Sequence, residues 1–253
     1  MVINSQSKTF STPPVPLRET RTSRRLMYLR ILLKRALLIS RGYPLANYGK
    51  LESGCAYNIC TEGLGPDSVI YSGGVGKDIS FENDLVKRFN CKVVLFDPSP
   101  IGIATMKRPE NNNPSFRFFP VGLAGQPGTL RLAPPFTPEG DSWFSYNSQV
   151  GTIEVACIDL ITLMQKNGHR HVDLLKIDVE GAEYGIIDQI VDRGIPVRQI
   201  VVEFHDGILP GVRLRQSLRA TFRLIRRGYK FVFEMGNTDV FFWGKPWRTK
   251  KDE

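Results

Sequence analysis

The chain has 253 residues and a formal net charge of +9, and its apolar fraction of 42% is ordinary for a globular protein. It offers no run of the roughly 18 unbroken apolar residues that a membrane-spanning helix needs, so we expect no transmembrane helix. The four cysteines, Cys55, Cys60, Cys91 and Cys157, show neither a C-x-x-C pair nor the spacing of zinc ligands. This predicts reduced, buried thiols and a cytoplasmic location.

The positive charge is concentrated at the N-terminal end. Residues 1–50 carry ten Lys and Arg against one acid, whereas residues 51–253 carry 24 basic and 24 acidic groups. Residues 1–22 are rich in Ser, Thr and Pro, which predicts a disordered basic arm. A helix is predicted near 23–40, with leucines on one side and cations on the other: Arg30, Lys34, Arg35 and Arg41. This helix packs on the domain or docks on an acidic partner or an anionic membrane surface, and its composition also fits an organelle transit peptide.

After a helix and loop region at 23–67, residues 68–253 are predicted to form one domain in which strands and helices alternate. Strands are predicted near 68–72, 92–97, 116–121, 172–178, 198–204, 229–235 and 238–243. Helices are predicted near 79–89, 100–107, 159–167, 182–193 and 213–227. Short apolar strands between amphipathic helices indicate an α/β fold, with a mostly parallel sheet of seven strands covered by helices on both faces. Since only Gly236 and Asn237 separate the last two strands, these must pair as an antiparallel hairpin.

The turn after the first of these strands is rich in glycine and ends in an acid, with Gly73, Gly74, Gly76 and Asp78. The next strand ends at Asp97, whose carboxylate can accept hydrogen bonds from both hydroxyls of a ribose. Together they are typical of a nucleoside-binding unit, because glycines let a ligand approach the backbone. A tight structural turn, with Asp97 as a cap, is the alternative.

The identity of the nucleoside follows from two further features. Ile79 stands where a dinucleotide site requires a third glycine, which argues against NAD and favours S-adenosylmethionine. The C-terminal hairpin points the same way, because a parallel sheet that ends in such a hairpin is typical of the Rossmann-like fold of class I methyltransferases. Dinucleotide dehydrogenases usually keep their final strand parallel.

Residues 124–151 are predicted to be the longest irregular stretch within the sheet region, and they carry several Pro, Gly and aromatic residues. Long loops in a compact domain are commonly functional. We interpret this stretch as a lid or a substrate-contacting flap, with surface decoration as the alternative.

Two later strands end in ionisable groups: Asp178 and Glu180 follow one, and Glu203 and His205 close the next. Because ligands of open α/β sheets bind beyond the carboxyl ends of the strands, we expect these groups to meet Gly76 and Asp97 at one edge. His205 is the candidate general base, since the ordinary pKa of histidine lies near neutrality. Its ring could be oriented by an acid from either strand, and a purely structural role is the alternative.

The same four groups could instead gather a divalent cation, although no metal is assigned to them from the sequence. Glu180 and Glu183 also have a simpler interpretation, as acids that the dipole of the following helix favours.

Four segments resemble the successive motifs of the FkbM-type methyltransferases: 72–82 (SGGVGKDISFE), 96–98 (FDP), 175–183 (LKIDVEGAE) and 202–205 (VEFH). The resemblance covers about residues 68–243, and LKIDVEGAE is its most specific part. It implies a seven-stranded class I methyltransferase fold, S-adenosylmethionine as the cofactor and O-methylation of a hydroxyl group. One departure is Gly73, where related sequences often carry a bulkier residue, and this is expected to loosen the cofactor turn.

The leading hypothesis is therefore an S-adenosylmethionine-dependent O-methyltransferase that acts on a sugar, a polysaccharide or a small natural product. The alternatives are an NAD(P)-dependent oxidoreductase, and a non-catalytic scaffold whose basic arm binds a membrane or nucleic acid. Methylation of nucleic acid is not expected, because residues 178–181 stand where such enzymes carry an Asn-Pro-Pro-Tyr motif. The oligomeric state is left open.

Overall fold

A computed structural model describes residues 43–135, 140, 142–145, 152–205, 214–235 and 238–243 of the chain. The predicted basic arm at 1–22, the predicted helix near 23–40 and the hairpin turn at 236–237 lie outside the described residues. Among the helices that the structure does describe, none combines the length and the apolar character that crossing a bilayer demands.

The described strands, in chain order, are β1 (Leu45–Tyr48), β2 (Tyr57–Cys60), β3 (Val69–Gly73), β4 (Lys92–Phe96), β5 (Phe116–Phe119), β6 (Gly122–Leu123), β7 (Gly128–Ala133), β8 (Phe144–Ser145), β9 (Ile153–Ile158), β10 (Val172–Ile177), β11 (Val197–Glu203), β12 (Lys230–Met235) and β13 (Thr238–Phe242). The described α-helices are α1 (Ser80–Phe89), α2 (Pro100–Met106), α3 (Leu160–Asn167), α4 (Glu183–Arg193) and α5 (Leu214–Arg227), and a short 3-10 helix spans Pro109–Asn111.

Within the described residues, the central sheet has seven strands in the order β12-β13-β11-β10-β3-β4-β5. The strands from β11 to β5 run parallel, whereas β13 is antiparallel to both β11 and β12. The strand order turns back between β3 and β10, because β4 lies on one side of β3 and β10 on the other. The predicted α/β fold with a large, mostly parallel sheet is confirmed.

The two faces of the central sheet carry separate apolar cores, because successive side chains of a strand point to opposite faces. Tyr71 and Leu175 belong to one core, which α3, α4 and α5 cover. Their strand neighbours Ile70 and Leu174 belong to the other, which α1 and the β1–β2 hairpin cover. The strands in the middle of the sheet are therefore buried on both faces, and functional groups are confined to the ends of these strands.

The structure adds two features that the sequence did not predict. Residues 43–67, predicted as loop in this part, contain the antiparallel hairpin β1–β2. Within 124–151, predicted as irregular, β7 and β8 belong to a second sheet with the order β6-β9-β7-β8. The strands concerned have only two to six residues, so a local pattern is too short to predict them and their pairing depends on tertiary contacts.

Gln199 fastens the β1–β2 hairpin to the central sheet. Its side chain on β11 is 1% exposed. The amide oxygen accepts from the N–H of Cys60 at 2.6 Å, and the amide nitrogen donates to the carbonyl oxygen of Cys60 at 2.9 Å. A single buried side chain thus satisfies both backbone groups of one hairpin residue.

We expect Gln199→Leu to lower the free energy of unfolding by about 2–4 kcal/mol, because two buried backbone groups of Cys60 would lose their partners. Equilibrium urea denaturation measures this loss. The matched control is Gln165→Leu on the exposed side of α3, where we expect a change within about 0.5 kcal/mol. Equal losses in the two variants would contradict this role of Gln199.

Candidate functional site

The carboxyl ends of four neighbouring parallel strands meet around one cavity of about 240 Å³. This is the edge at which open α/β sheets bind their ligands, next to the reversal of strand order between β3 and β10. Six of the residues singled out from the sequence line it: Gly74, Gly76, Asp97, Asp178, Glu180 and Glu203. Three others, Gly73, Asp78 and His205, lie outside the lining.

The glycine turn after β3 passes so close to β10 that a side chain cannot be accommodated there. Gly74 has a φ of +83°, and a Cβ on it would lie 1.8 Å from the carbonyl oxygen of Asp178. Gly76 has a φ of +55°, but a Cβ on it would have no atom within 4 Å. The first glycine is thus required by packing, whereas the second leaves open space at the cavity.

Gly73 does not loosen the turn as expected. A Cβ on it would lie 2.2 Å from the ring of Phe96, and 3.0 Å from a methyl group of Val179. The volume that a bulkier residue would occupy is therefore filled by an aromatic ring of the neighbouring strand, and the turn is tightly packed.

The side chain of Lys176 stabilises this turn through hydrogen bonds to its backbone carbonyl groups. The residue is 3% exposed, and its Nζ donates to the carbonyl oxygens of Gly74 at 2.7 Å and of Gly73 at 3.3 Å. Nζ also lies 4.7 Å from the centre of the Tyr57 ring and 3.7 Å from Oδ2 of Asp178. Burial alone would lower the pKa of Lys176, but the charges of Asp178 and Glu82 raise it above its ordinary value, so the ammonium stays charged.

Asp97 ties the glycine turn to the end of β4. Its Oδ2 accepts from the backbone N–H groups of Val75 at 2.8 Å and Gly76 at 3.0 Å, and its Oδ1 accepts from Ser99 at 2.7 Å. A carboxylate has about four acceptor positions, so three are used and one is left for a ligand. Asp97 therefore does cap a tight structural turn, which was the alternative interpretation. Its remaining acceptor position is still available for the predicted contact with a ribose.

Asp78 belongs to the start of α1 rather than to the cavity. Its Oδ1 accepts from the backbone N–H of Ser80 at 2.6 Å. Burial would raise the pKa of Asp78, but the hydrogen bonds with Ser80 lower it below its ordinary value. The structure thus does not bring this predicted cofactor ligand together with the others.

His205 is buried and held by carboxylates on both of its ring nitrogens. Nδ1 lies 2.7 Å from Oε1 of Glu183, and Nε2 lies 3.1 Å from Oε2 of Glu180 and 3.7 Å from Oδ1 of Asp178. Burial alone would lower the pKa of His205, but the hydrogen bond with Glu183 and the surrounding negative charges raise it to about 10. Near neutral pH the ring is consequently protonated, which does not suit the predicted base.

Two carboxyl groups of the cavity wall, unlike His205, gain and lose a proton near neutral pH. Burial, helped by the charge of Asp178, raises the pKa of both Glu180 and Glu203 to about 7, against the opposing charge of His205. Asp178, whose charge acts on both, accepts a hydrogen bond from the Tyr57 hydroxyl at 2.7 Å. Acids that exchange protons near neutrality are thus present in the wall, although histidine was the residue chosen from the sequence.

Several residues of this site were not singled out from the sequence. Lys176 and Glu183 lie within the LKIDVEGAE motif, which could have pointed to them. Tyr57, from β2, also lines the site, and no pattern in the sequence predicts it. Trp143, next to β8, lines the cavity as well, and it belongs to the stretch 124–151 that we interpreted as a lid or a substrate-contacting flap. Asp178, Glu180 and His205 offer ligand atoms within 4.8 Å of one another, so they could hold a metal ion.

Comparisons with known proteins complete the description. The model of the methyltransferase FkbM domain matches residues 69–231 of the chain. No curated protein matches it. Among solved structures, a methyltransferase from Pyrococcus furiosus covers 88% of this chain and 100% of its own, with 15% sequence identity and a TM-score of 0.37. A similarity of that size supports no conclusion by itself.

We expect Lys176→Met to lower the melting temperature by about 6–12 °C, as a loss of roughly 3 kcal/mol would in a chain of this size. The turn carbonyls would lose their donor, and Asp178 and Glu82 would lose their counter-charge. Differential scanning calorimetry measures the shift. Lys166→Met, at an exposed position of α3, serves as the control, and a shift as small as the control's would show that Lys176 does not hold the turn.

Proposed function

The chain belongs to the FkbM methyltransferase family, and from this we propose that it transfers a methyl group from S-adenosylmethionine to a hydroxyl group of a sugar, a polysaccharide or a small natural product. The observation that carries the proposal is the meeting of Gly76, Asp97 and Asp178 around one cavity. The topology supports it, because a parallel sheet ending in an antiparallel pair is typical of class I methyltransferases.

The residues present suit S-adenosylmethionine. Gly74 and Gly76 would let it approach the backbone, and the remaining acceptor position of Asp97 would take a ribose hydroxyl. The indole N–H of Trp143, in the cavity wall, is buried without a hydrogen-bond partner among the described residues, as expected of a donor that a bound ligand completes. When bound, S-adenosylmethionine supplies a methyl group on a positively charged sulfur.

The same geometry disfavours a nicotinamide cofactor. Ile79 stands where a dinucleotide site requires a glycine, and its side chain is 4% exposed and packs in the core between α1 and the sheet. A pyrophosphate therefore has no glycine-lined path to the start of the helix.

The electrostatics of the wall favours a cationic donor. Asp178, Glu180 and Glu203 line the cavity, and Glu183 is buried just behind them. Against these four carboxyl groups stand only two cationic side chains in this cluster of described residues, Lys176 and His205. A positively charged ligand relieves such an imbalance, whereas an anionic one would increase it.

Methyl transfer to a hydroxyl group requires that the acceptor be aligned and that its proton be removed. We assign the removal of the proton to Glu203, because its carboxyl group lies in the cavity wall and no hydrogen bond from the described residues holds its side chain. His205 is assigned a different part: it lies behind the wall, as a positioned group that keeps Glu180 and Asp178 in place.

Binding of S-adenosylmethionine should weaken by about tenfold or more in Asp97→Asn, since a charge-assisted acceptor is replaced by a neutral amide. Isothermal titration calorimetry measures the change. Asp67→Asn, at an exposed position, should bind as the unchanged protein does. Tight binding of NAD in place of S-adenosylmethionine would instead favour the oxidoreductase.

Glu203→Gln should lower kcat by about 10²–10⁴-fold, the usual contribution of a positioned base, while the affinity for S-adenosylmethionine stays within about twofold. Release of S-adenosylhomocysteine is first measured with a panel of sugars and small hydroxylated natural products, and the accepted compound is then used for the variant. The control is Glu154→Gln, in an exposed ion pair with Arg131. An unchanged kcat in Glu203→Gln would remove this residue from the base role.

A further inference from the structure

The side chains of Asp178 and Glu180, in the cavity wall, and of His205, behind it, converge on one point. Each offers one ligand atom, and the three atoms lie within 4.8 Å of one another. Nε2 of His205 is 3.1 Å from Oε2 of Glu180 and 3.7 Å from Oδ1 of Asp178. Ligands about 2.0–2.2 Å from one cation lie about 2.8–3.6 Å from each other in octahedral or tetrahedral arrangements, close to both separations. We propose that these three side chains bind a divalent metal ion of the Mn²⁺ type.

The orientation of the imidazole ring is a second, independent argument. Nδ1 lies 2.7 Å from Glu183, an acid outside the three ligands whose carboxylate is itself fixed by the backbone N–H of Gly181 at 3.0 Å. When Nδ1–H donates to Glu183, the lone pair of Nε2 faces two carboxylate oxygens. Such an arrangement requires a positive charge at that point, either a proton on Nε2 or a metal ion, and histidines that bind metals usually donate their other N–H in this way.

The chemical types of the three ligands indicate which metal ions the site favours. Two carboxylates and one imidazole suit a first-row divalent ion such as Mn²⁺ better than Ca²⁺, which prefers oxygen ligands alone. Three protein ligands leave further coordination positions, and Asp178 and Glu180 line the cavity, so these positions face the space for a ligand.

The buried charges support a divalent ion over a proton on Nε2. The carboxyl groups of this cluster, Asp178, Glu180, Glu183 and Glu203, outnumber its cationic side chains, Lys176 and His205, and Lys176 also interacts with Glu82. A divalent ion beside a neutral imidazole adds one more positive charge to this cluster than a protonated His205 does, and a bound sulfonium would add another; the sulfonium rests on the proposed function. In that setting the ion would bind the acceptor hydroxyl and lower its pKa.

The test is direct binding of Mn²⁺ to the full chain after treatment with a chelator, without methyl donor or acceptor. Calorimetry should show one ion per chain, with an affinity about tenfold or more lower in Glu180→Gln and in Asp178→Asn. Glu183→Gln should weaken binding by about 10–100-fold, because the imidazole would lose the partner that orients it. Pulsed electron paramagnetic resonance should show coupling of Mn²⁺ to an imidazole nitrogen, and His205→Gln should abolish it.

Glu110→Gln, at an exposed acid of the 3-10 helix, is the matched control and should leave Mn²⁺ binding unchanged. Circular dichroism checks that each variant is folded, and the two ligand variants substitute for each other if one fails to fold. Absence of saturable binding, or equal affinity in the control and the ligand variants, would overturn the proposal, with a proton at Nε2 as the remaining occupant.

Binding of S-adenosylmethionine without a Mn²⁺ site would overturn this inference alone, whereas Mn²⁺ binding without affinity for S-adenosylmethionine would overturn the proposed function alone.

Discussion

The buried ammonium group of Lys176 is the contact on which both sides of the cavity depend. On one side it donates to the carbonyl oxygens of Gly73 and Gly74, and on the other it lies 3.7 Å from Asp178. Because a buried carboxylate without a cation is costly, this ammonium group stabilises the carboxylate of Asp178 in the cavity wall. The same group therefore shapes the nucleoside turn and keeps the reactive end of the cavity charged.

The roles of the ionisable groups follow from burial and from charge pairs rather than from their ordinary pKa values. The side chain of histidine normally titrates near neutrality, yet the three carboxylates around His205 raise its pKa to about 10. Glu180 and Glu203 would be fully ionised in water, yet burial moves them to the range in which a proton is exchanged near pH 7. In this site the glutamates, and not the histidine, therefore have pKa values near neutral pH.

The central sheet was readable from the sequence because its strands are short apolar runs separated by amphipathic helices, and because parallel strands bring their carboxyl ends to one edge. This reasoning located Asp97, Asp178, Glu180 and Glu203 correctly at one cavity. It did not locate Tyr57, because β2 gains its strand geometry from pairing with β1 and from the hydrogen bonds of Gln199. It also could not tell that His205 lies behind the wall, since a two-residue periodicity gives the face of a side chain but not its partners.

The segment that matches the family model, 69–231, is smaller than the unit that builds the cavity. It omits β13 and all but the first two residues of β12, and it omits the β1–β2 hairpin, whose Tyr57 donates to Asp178. A fragment trimmed to those limits would lose the antiparallel edge of the central sheet, expose the apolar face that the hairpin covers and lose the Tyr57 side of the cavity wall. Among the described residues, the elements that build the central sheet and the cavity thus extend from the hairpin at 45–60 through β13 at 238–242, beyond both limits of the family match.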